Sequence, residues 1–436
     1  MERQTEVRPS NALRVAGLLS AAIYLVLSGR LSWWRYGEVL ESWANLLGAG
    51  RATAAICLVG IGILMALYLW GLRSVRIGGV QRRTIWAFAF IFAGTLLWLL
   101  PITSDLFAYL SHAHMLTDLG ANPLLQAPLD FHDSFVVSYP TVYAARPSVY
   151  GPAWVLLSAI GTIGSHDVPV GLFYLKGLAA VAYLGGAWLI ERVLLEFRPE
   201  VALEGLYLFA WNPFVLLMAV GDGHNDMIMM ALALLSIWLL LKERWVLAFG
   251  VLALSVWIKY LSFALVPLIG IYVWRRLGRG QQGNLRRPMT QACLAAVLVS
   301  FVVVAPLGWI EGLLGIAERL MLPLNWSRGA AGMPALLLGV GLFLFLLAYG
   351  VLLVQALRGS GAFQQLVNVG FLALLLAFLL GAARSQPWHL LWPAALMGLS
   401  DYRWAVPVMV GLSGLMLVVQ VGVEWAVPSF PFLVME

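Results

Sequence analysis

The chain is a series of long apolar runs joined by short polar connections. Each run approaches the roughly 20 residues that a helix needs to cross a hydrocarbon core about 30 Å thick. Hydrophobic residues make up 61% of the chain and charged residues 11%, whereas a soluble domain carries about 25% charged residues. The pattern predicts an all-α polytopic membrane protein with thirteen spans, near 12–28, 52–71, 84–101, 168–190, 201–220, 226–241, 245–258, 261–274, 290–308, 333–357, 363–382, 387–400 and 403–423.

Basic residues in the connections predict the orientation. Arginines lie at 73–83 and again at 275–287, and loops rich in Lys and Arg stay in the cytoplasm. The N-terminus is therefore predicted inside, and 102–167 forms an outer loop in which Arg146 is the single Lys or Arg. Residues 1–436 are predicted to form one membrane-embedded domain, and neither an internal repeat nor a low-complexity tract is visible in them. The predicted location is the plasma membrane.

The apolar stretch 150–164 is the ambiguous element. Counting it as a span would place Lys242 and the 275–287 arginines outside, against the charge rule. We therefore predict a helix that lies in the membrane interface, flanked by Tyr150 and Trp154. The formal charge of +6 needs no nucleic-acid partner, and Cys57 and Cys293 lie inside apolar runs, as expected of core thiols.

Candidate chemistry begins with Asp105, just after the third predicted span. The segment from Ser104 to Leu116 is predicted to be helical, with Asp105, Tyr109 and His112 on one face. A carboxylate beside polar groups in a cleft suits a general base. The alternative is a helix cap, because Thr103, Ser104 and Asp105 are all good capping residues.

Further polar groups are predicted to lie at the same outer boundary of the membrane as Asp105. Asn212-Pro213 interrupts a span, and such interruptions are tolerated where they are buried or line a cavity. The run Gly221–Asp226 (GDGHND) contains more turn-forming, polar and acidic residues than a turn and a helix cap require. A turn followed by a cap remains the alternative interpretation. Outer basic residues oppose the charge rule, so Lys259 and Arg384 are predicted to bind phosphate, whereas Arg328 fits phosphate or lipid headgroups equally.

No cofactor is predicted, but a divalent metal is a weaker alternative. Its ligands would come from His112, His114, Asp130, His132 and Asp133. His112 and His114 do not face each other on a helix, so they would need a loop or strand to share an ion.

Several short motifs together resemble a known family. They are Ser104-Asp105 with Tyr109, Gly120-Ala-Asn122-Pro123, Tyr150-Gly151-Pro152, Asn212-Pro213, His224-Asn225-Asp226, Ile258-Lys259-Tyr260 and Gln386-Pro387-Trp388-His389. Over about 85–400 the chain is similar to the GT-C glycosyltransferases, and most to the polyprenyl-phosphomannose-dependent α-mannosyltransferases. Two positions depart from the family pattern: Ser104 stands where many relatives have a second acid, and Leu124 where they often have an aromatic residue.

The resemblance implies inverting transfer of a sugar, expected to be mannose, from a polyprenyl-phosphate donor to a glycan or glycolipid at the outer face. Asp105 would be the catalytic base. Residues and resemblance together predict substrate contacts from Tyr109, His112, Asn122, Tyr150, Asn212, Asp222, His224, Asn225, Asp226, Lys259, Arg384 and His389. The alternatives are a transporter or lipid flippase, disfavoured because the polar motifs gather at helix ends, and a non-catalytic assembly subunit.

Overall fold

Most of the chain is helical. The computed structural model describes residues 9–30, 32–35, 51–101, 103–139, 141, 143–280, 286–308, 333–381 and 386–426. Helix accounts for 79% of the structure, and apart from an isolated bridge between Ser32 and Leu99 no β pairing occurs within these ranges. The predicted all-α polytopic membrane class is confirmed.

We number the helices of nine residues or more in chain order. The first half contains α1 (Pro9–Arg30), α2 (Arg51–Ile77), α3 (Arg82–Leu96), α4 (Asp105–Thr117), α5 (Pro152–Ile160), α6 (Val168–Phe197) and α7 (Ala202–Ala210). The second half contains α8 (Asp226–Leu241), α9 (Trp245–Ile258), α10 (Leu265–Gly280), α11 (Arg286–Val304), α12 (Met333–Arg358), α13 (Phe363–Leu380) and α14 (Ala405–Ala426).

Membrane-capable helices are numerous in the described ranges. Seven helical stretches there are long and apolar enough to cross a bilayer, and an eighth results if a bent pair counts as one span. The exact number of thirteen spans stays a prediction. Helix α5 has nine residues and is therefore only about 14 Å long, too short to cross. The expectation that 150–164 is not a span is confirmed, and its place in the interface stays a prediction.

The predicted span 387–400 is not a continuous helix. The structure has a 3-10 turn at Pro387–Leu390, a four-residue helix at Leu391–Ala394 and turns beyond it. A regular helix does not continue across 387–400 because Pro393 lacks a backbone donor and is sterically opposed to a preceding helical turn, while the crossing of the membrane by this stretch stays a prediction.

The break at Asn212-Pro213 bends the chain. The helical segments on either side of it differ in direction by 47°. The Asn212 side chain accepts a hydrogen bond from the N–H of Phe214 at 3.0 Å, which caps the following turn. A π-helix from Leu216 to Gly221 follows, and it leads directly into the polar turn before α8.

Four ion pairs lie at one end of the bundle. They join the end of α2 to the start of α7, the start of α3 to the C-terminal half of α6, the residue after α8 to the C-terminal half of α6, and α10 to the second residue after α8. The pairs are Arg76–Glu204, Arg82–Glu191, Lys242–Glu196 and Arg276–Glu243, with N···O distances of 2.5–3.3 Å. The opposite ends of α3, α6 and α8 carry the candidate chemistry, which is thus separated from the ion pairs by the helix lengths.

The start of α5 packs directly on the end of α9. The N–H of Gly151 donates to the carbonyl of Ile258 at 3.1 Å. A Cβ at Gly151 would lie 2.0 Å from the carbonyl oxygen of Trp257. Only glycine allows the two backbones to approach this closely.

We therefore expect Gly151→Ala to lower the melting temperature of the purified protein. Forcing a methyl group into a filled contact costs about 1–3 kcal/mol of unfolding free energy. Gly177→Ala is the control, because a Cβ there meets no atom within 4 Å. It should hold or raise the melting temperature, since alanine is the better helix former. Equal melting temperatures for Gly151→Ala and the wild type would contradict this tight contact.

Candidate active site

Asp105 is the first residue of α4 and is buried. The preceding Ser104 makes no side-chain capping bond to the helix. The Asp105 carboxylate instead accepts a hydrogen bond from the Tyr150 hydroxyl at 3.1 Å, and Tyr143 bonds to it as well. Burial and the charge of Asp105 raise the pKa of Tyr150 well above its usual value, so its hydroxyl keeps the proton that it donates. These contacts favour a chemical role for Asp105 over a simple cap.

Aromatic rings enclose this carboxylate. Tyr109, one turn along α4, meets Tyr150 edge-on with ring centroids 4.7 Å apart and Trp154 with centroids 4.9 Å apart. Sequence reasoning placed Tyr150 and Trp154 at the flanks of an interfacial helix. In the structure both side chains are buried and pack against Tyr109. The rings build a water-poor wall around the acid.

His224 lies between two carboxylates. Its Nδ1 is 3.4 Å from Asp105 Oδ2, and its Nε2 is 3.5 Å from Asp222 Oδ2. Burial alone would lower the pKa of this imidazole, but the two carboxylates outweigh it and raise the pKa to about 9. His224 is therefore protonated at neutral pH, and its positive charge lies between the two carboxyl groups. Trp388 stacks on the ring at 4.4 Å and fixes its plane.

A second acid–base pair lies close by. Lys259 Nζ is 2.8 Å from both carboxylate oxygens of Asp226, which also accepts a hydrogen bond from the Trp392 indole. Sequence reasoning listed both residues as substrate contacts without pairing them, and the structure joins them in one ion pair. Lys259 Nζ also lies 6.0 Å from the Tyr150 ring centroid, so Tyr150 joins this pair to Asp105.

The side-chain amide of Asn225 is buried without a hydrogen-bond partner among the described residues. A buried unpaired amide costs about 1–3 kcal/mol, which makes this group a candidate for pairing with substrate hydroxyls. Its neighbours in sequence, His224 and Asp226, both belong to the cluster.

Lys176 is a buried residue that sequence reasoning missed. Its Nζ donates to the carbonyl of Leu99 at 2.6 Å and to the carbonyl of Gly221. It thereby ties the segment before Asp105 to the turn that carries His224. The available signal was a lone lysine inside an apolar span, which is rare and usually functional. Tyr143, Trp388 and Trp392 were missed as contacts of the cluster too.

Other predicted substrate residues lie elsewhere or are already bonded. Asn122 donates to the Leu307 carbonyl at 2.7 Å, and the amide of Asn212 donates to Ser413 Oγ at 3.1 Å. His112 Nε2 lies 3.2 Å from the carbonyl of Arg146. His389 stacks on Trp392 at 4.3 Å, at the edge of the cluster. Arg384, Arg328 and the 309–332 loop lie outside the described residues.

The predicted metal alternative does not form as a group. Asp130 accepts a hydrogen bond from the N–H of Ala127 at 2.8 Å, and His132 and Asp133 are exposed. Of that set, His114 alone joins a compact group of potential ligands, together with Asp118 and His166.

Comparison with known proteins identifies the family. The family model for the N-terminal domain of alpha-(1->6)-mannopyranosyltransferases matches residues 14–275, more than half of the chain. This chain belongs to that family. The mannosyltransferase is 24% identical to alpha-(1->6)-mannopyranosyltransferase A of Mycobacterium tuberculosis, over 91% of this chain and 78% of the relative.

Two relatives from Corynebacterium glutamicum match over shorter regions. Alpha-(1->6)-mannopyranosyltransferase A is 24% identical over 54% of this chain and 49% of the relative. Alpha-(1->6)-mannopyranosyltransferase B is 25% identical over 67% of this chain and 54% of the relative. The mannosyltransferase is thus a multi-pass membrane enzyme, which decides against the transporter alternative.

Proposed function

We propose that this mannosyltransferase moves mannose from a polyprenyl-phosphate donor to a hydroxyl of a glycan or glycolipid, forming an α-(1->6) linkage at the outer face of the plasma membrane. The supporting observation is the buried Asp105 carboxylate, held by Tyr150 and His224 beside the Lys259–Asp226 pair. Positive charge retained at the opposite end of the bundle supports the outward orientation.

Asp105 is the proposed general base. The acceptor hydroxyl gives its proton to this carboxylate while its oxygen attacks the anomeric carbon of mannose. The bond to the phosphate oxygen breaks on the opposite face, so the configuration inverts and polyprenyl phosphate leaves with the bonding electron pair. Protonated His224 supports the reaction by placing a positive charge 3.4 Å from the Asp105 carboxyl oxygen, which helps to hold the acid in position.

Lys259 is the proposed contact for the donor phosphate. An ammonium group has three N–H donors, and Asp226 uses two of them. The third N–H remains for a phosphate oxygen, and the Lys259 side chain is 18% exposed, so a ligand can reach it. Charge that grows on the leaving phosphate would then be stabilised by a preorganised cation. Arg384 stays a proposal as a second contact.

An apolar cavity of about 490 Å³ offers a place for the polyprenyl chain. It lies between α1, α2 and α14, and Gln420 is the one residue of its lining with a polar side chain. Leu99 and Met218 line its wall, and the Met218 carbonyl accepts a hydrogen bond from the N–H of His224 at 3.3 Å. A hydrocarbon chain held there would start next to the charged cluster, as a lipid-linked sugar requires.

The test is a transfer assay with purified protein, labelled polyprenyl-phosphomannose and an α-1,6-linked oligomannoside. We expect labelled mannose on the acceptor and an equal amount of released polyprenyl phosphate. A parallel reaction with a nucleotide-linked mannose should give no product. Transfer from the nucleotide donor, or uptake of the lipid donor without cleavage, would overturn the donor assignment.

A further inference from the structure

Three potential metal ligands meet at the far end of α4. His114 belongs to the last turn of that helix, Asp118 follows one turn later, and His166 lies in the connection between α5 and α6. Their ligand atoms lie within 4.8 Å of one another. The group brings together two segments of the outer loop that are far apart in sequence.

The two separations that involve Asp118 are close to those around a small cation with nitrogen and oxygen ligands. Asp118 Oδ2 is 2.5 Å from His114 Nδ1, and Asp118 Oδ1 is 3.3 Å from His166 Nε2. Ligands about 2.0–2.1 Å from a tetrahedral zinc ion are separated by roughly 3.3 Å. The contact between Asp118 and His166 already has that spacing, and the one between Asp118 and His114 has to lengthen by less than about 1 Å.

Neighbouring side chains orient the group. The His114 ring is buried, stacks on Tyr139 at 5.8 Å and meets the edge of Phe135 at 5.0 Å. Phe135 also lies 4.5 Å from the His166 ring. The opposite side is open, because His166 is 61% exposed and Asp118 is 27% exposed. Orienting contacts on one side and access to solvent on the other are features of a three-ligand zinc site with a water in the fourth position.

We propose that His114, Asp118 and His166 bind a zinc-class divalent ion that fastens the end of α4 to the loop before α6. Two imidazoles and one carboxylate suit zinc better than magnesium, which prefers oxygen ligands. His114 is nine residues from Asp105, about 14 Å along the helix. The ion would therefore hold the outer loop in shape without touching the reacting groups, and the site does not depend on the donor proposed above.

The experiment uses the full-length protein in detergent after treatment with a chelator, titrated with Zn²⁺ in a calorimeter. We expect one ion per chain and a higher melting temperature with Zn²⁺, but neither effect with Mg²⁺. Substitution of a residue that only orients a ligand costs about 10–100-fold in metal affinity, so loss of a ligand in His166→Ala should cost more than about 100-fold. Asp118→Asn should weaken binding as well, because an amide is a poorer ligand than a carboxylate.

His132→Ala is the matched control, because His132 is exposed in the same outer region and lies outside the group. This variant should bind Zn²⁺ as the wild type does. Absence of Zn²⁺ binding by the wild type would overturn the proposal and leave the group as a hydrogen-bonded cluster. Wild-type affinity in both His166→Ala and Asp118→Asn would overturn it too, because the bound ion would then lie elsewhere.

Discussion

Asp105→Asn should lower the rate of mannose transfer by at least about 10²–10⁴-fold, the usual contribution of a general base. The amide keeps the shape of the side chain and can still accept the hydrogen bond from Tyr150. It cannot take the proton of the acceptor hydroxyl. The turnover number is therefore the quantity that should fall by this factor, while the protein still folds.

Asp133→Asn provides the control for this substitution. Asp133 is an exposed carboxylate of the same outer region, so the same chemical change there should leave transfer unaffected. Near-normal transfer by folded Asp105→Asn would remove Asp105 from the mechanism. A fall of similar size in Asp133→Asn would point instead to a general effect of charge.

The second large effect concerns His224 and pH. Its carboxylate neighbours raise its pKa from 6.5 to about 9, so the folded protein holds this proton more tightly than the unfolded chain. The stability gained is fully present below pH about 6.5 and is lost as the pH rises through about 9. We expect both the transfer rate and the melting temperature to decline through that window. Above a pH of about 9 the His224 ring is neutral, and its positive charge no longer lies between Asp105 and Asp222.

His224→Gln should lose about 10²–10³-fold in rate at neutral pH, in the range measured when one preorganised donor is removed from an active site. Its pH profile should also lack the decline near pH 9, which separates the loss of a titrating group from a general loss of folded protein. The exposed His132→Gln serves as control and should keep the wild-type profile. A wild-type profile that stays flat beyond pH 10, or an unchanged decline in His224→Gln, would contradict the assignment.

Local sequence pattern was sufficient to predict much of the fold and some of the residues of the charged cluster. Apolar runs and the distribution of arginines predicted the membrane class and the short helix α5. The placement of Asp105 at the start of a helix followed from capping residues and helical spacing. His224 and Asp226 were noticed because consecutive polar residues are unusual in so apolar a chain.

Local sequence pattern could not predict which side chains contact each other in the cluster. Tyr150 is 45 residues from Asp105, and Lys259 is 33 residues from Asp226, so neither contact has a periodic signal. Lys259 was taken as a free phosphate-binding cation because its partner was unknown. Trp392, which contacts Asp226, looks like an ordinary core residue in its apolar run. Such contacts depend on how helices distant in sequence pack together.

The junction of Tyr150 and Gly151 has a consequence for redesign of the enzyme. Tyr150 holds the acid, while the next residue is fastened to the backbone of Ile258, directly before Lys259. Displacement at one residue therefore shifts the other, and their energetic effects cannot be summed as if they were independent. A substitution that displaces the backbone at Ile258 and Lys259 will therefore also displace Tyr150 and its hydrogen bond to Asp105, so the two sites must be optimised as a unit.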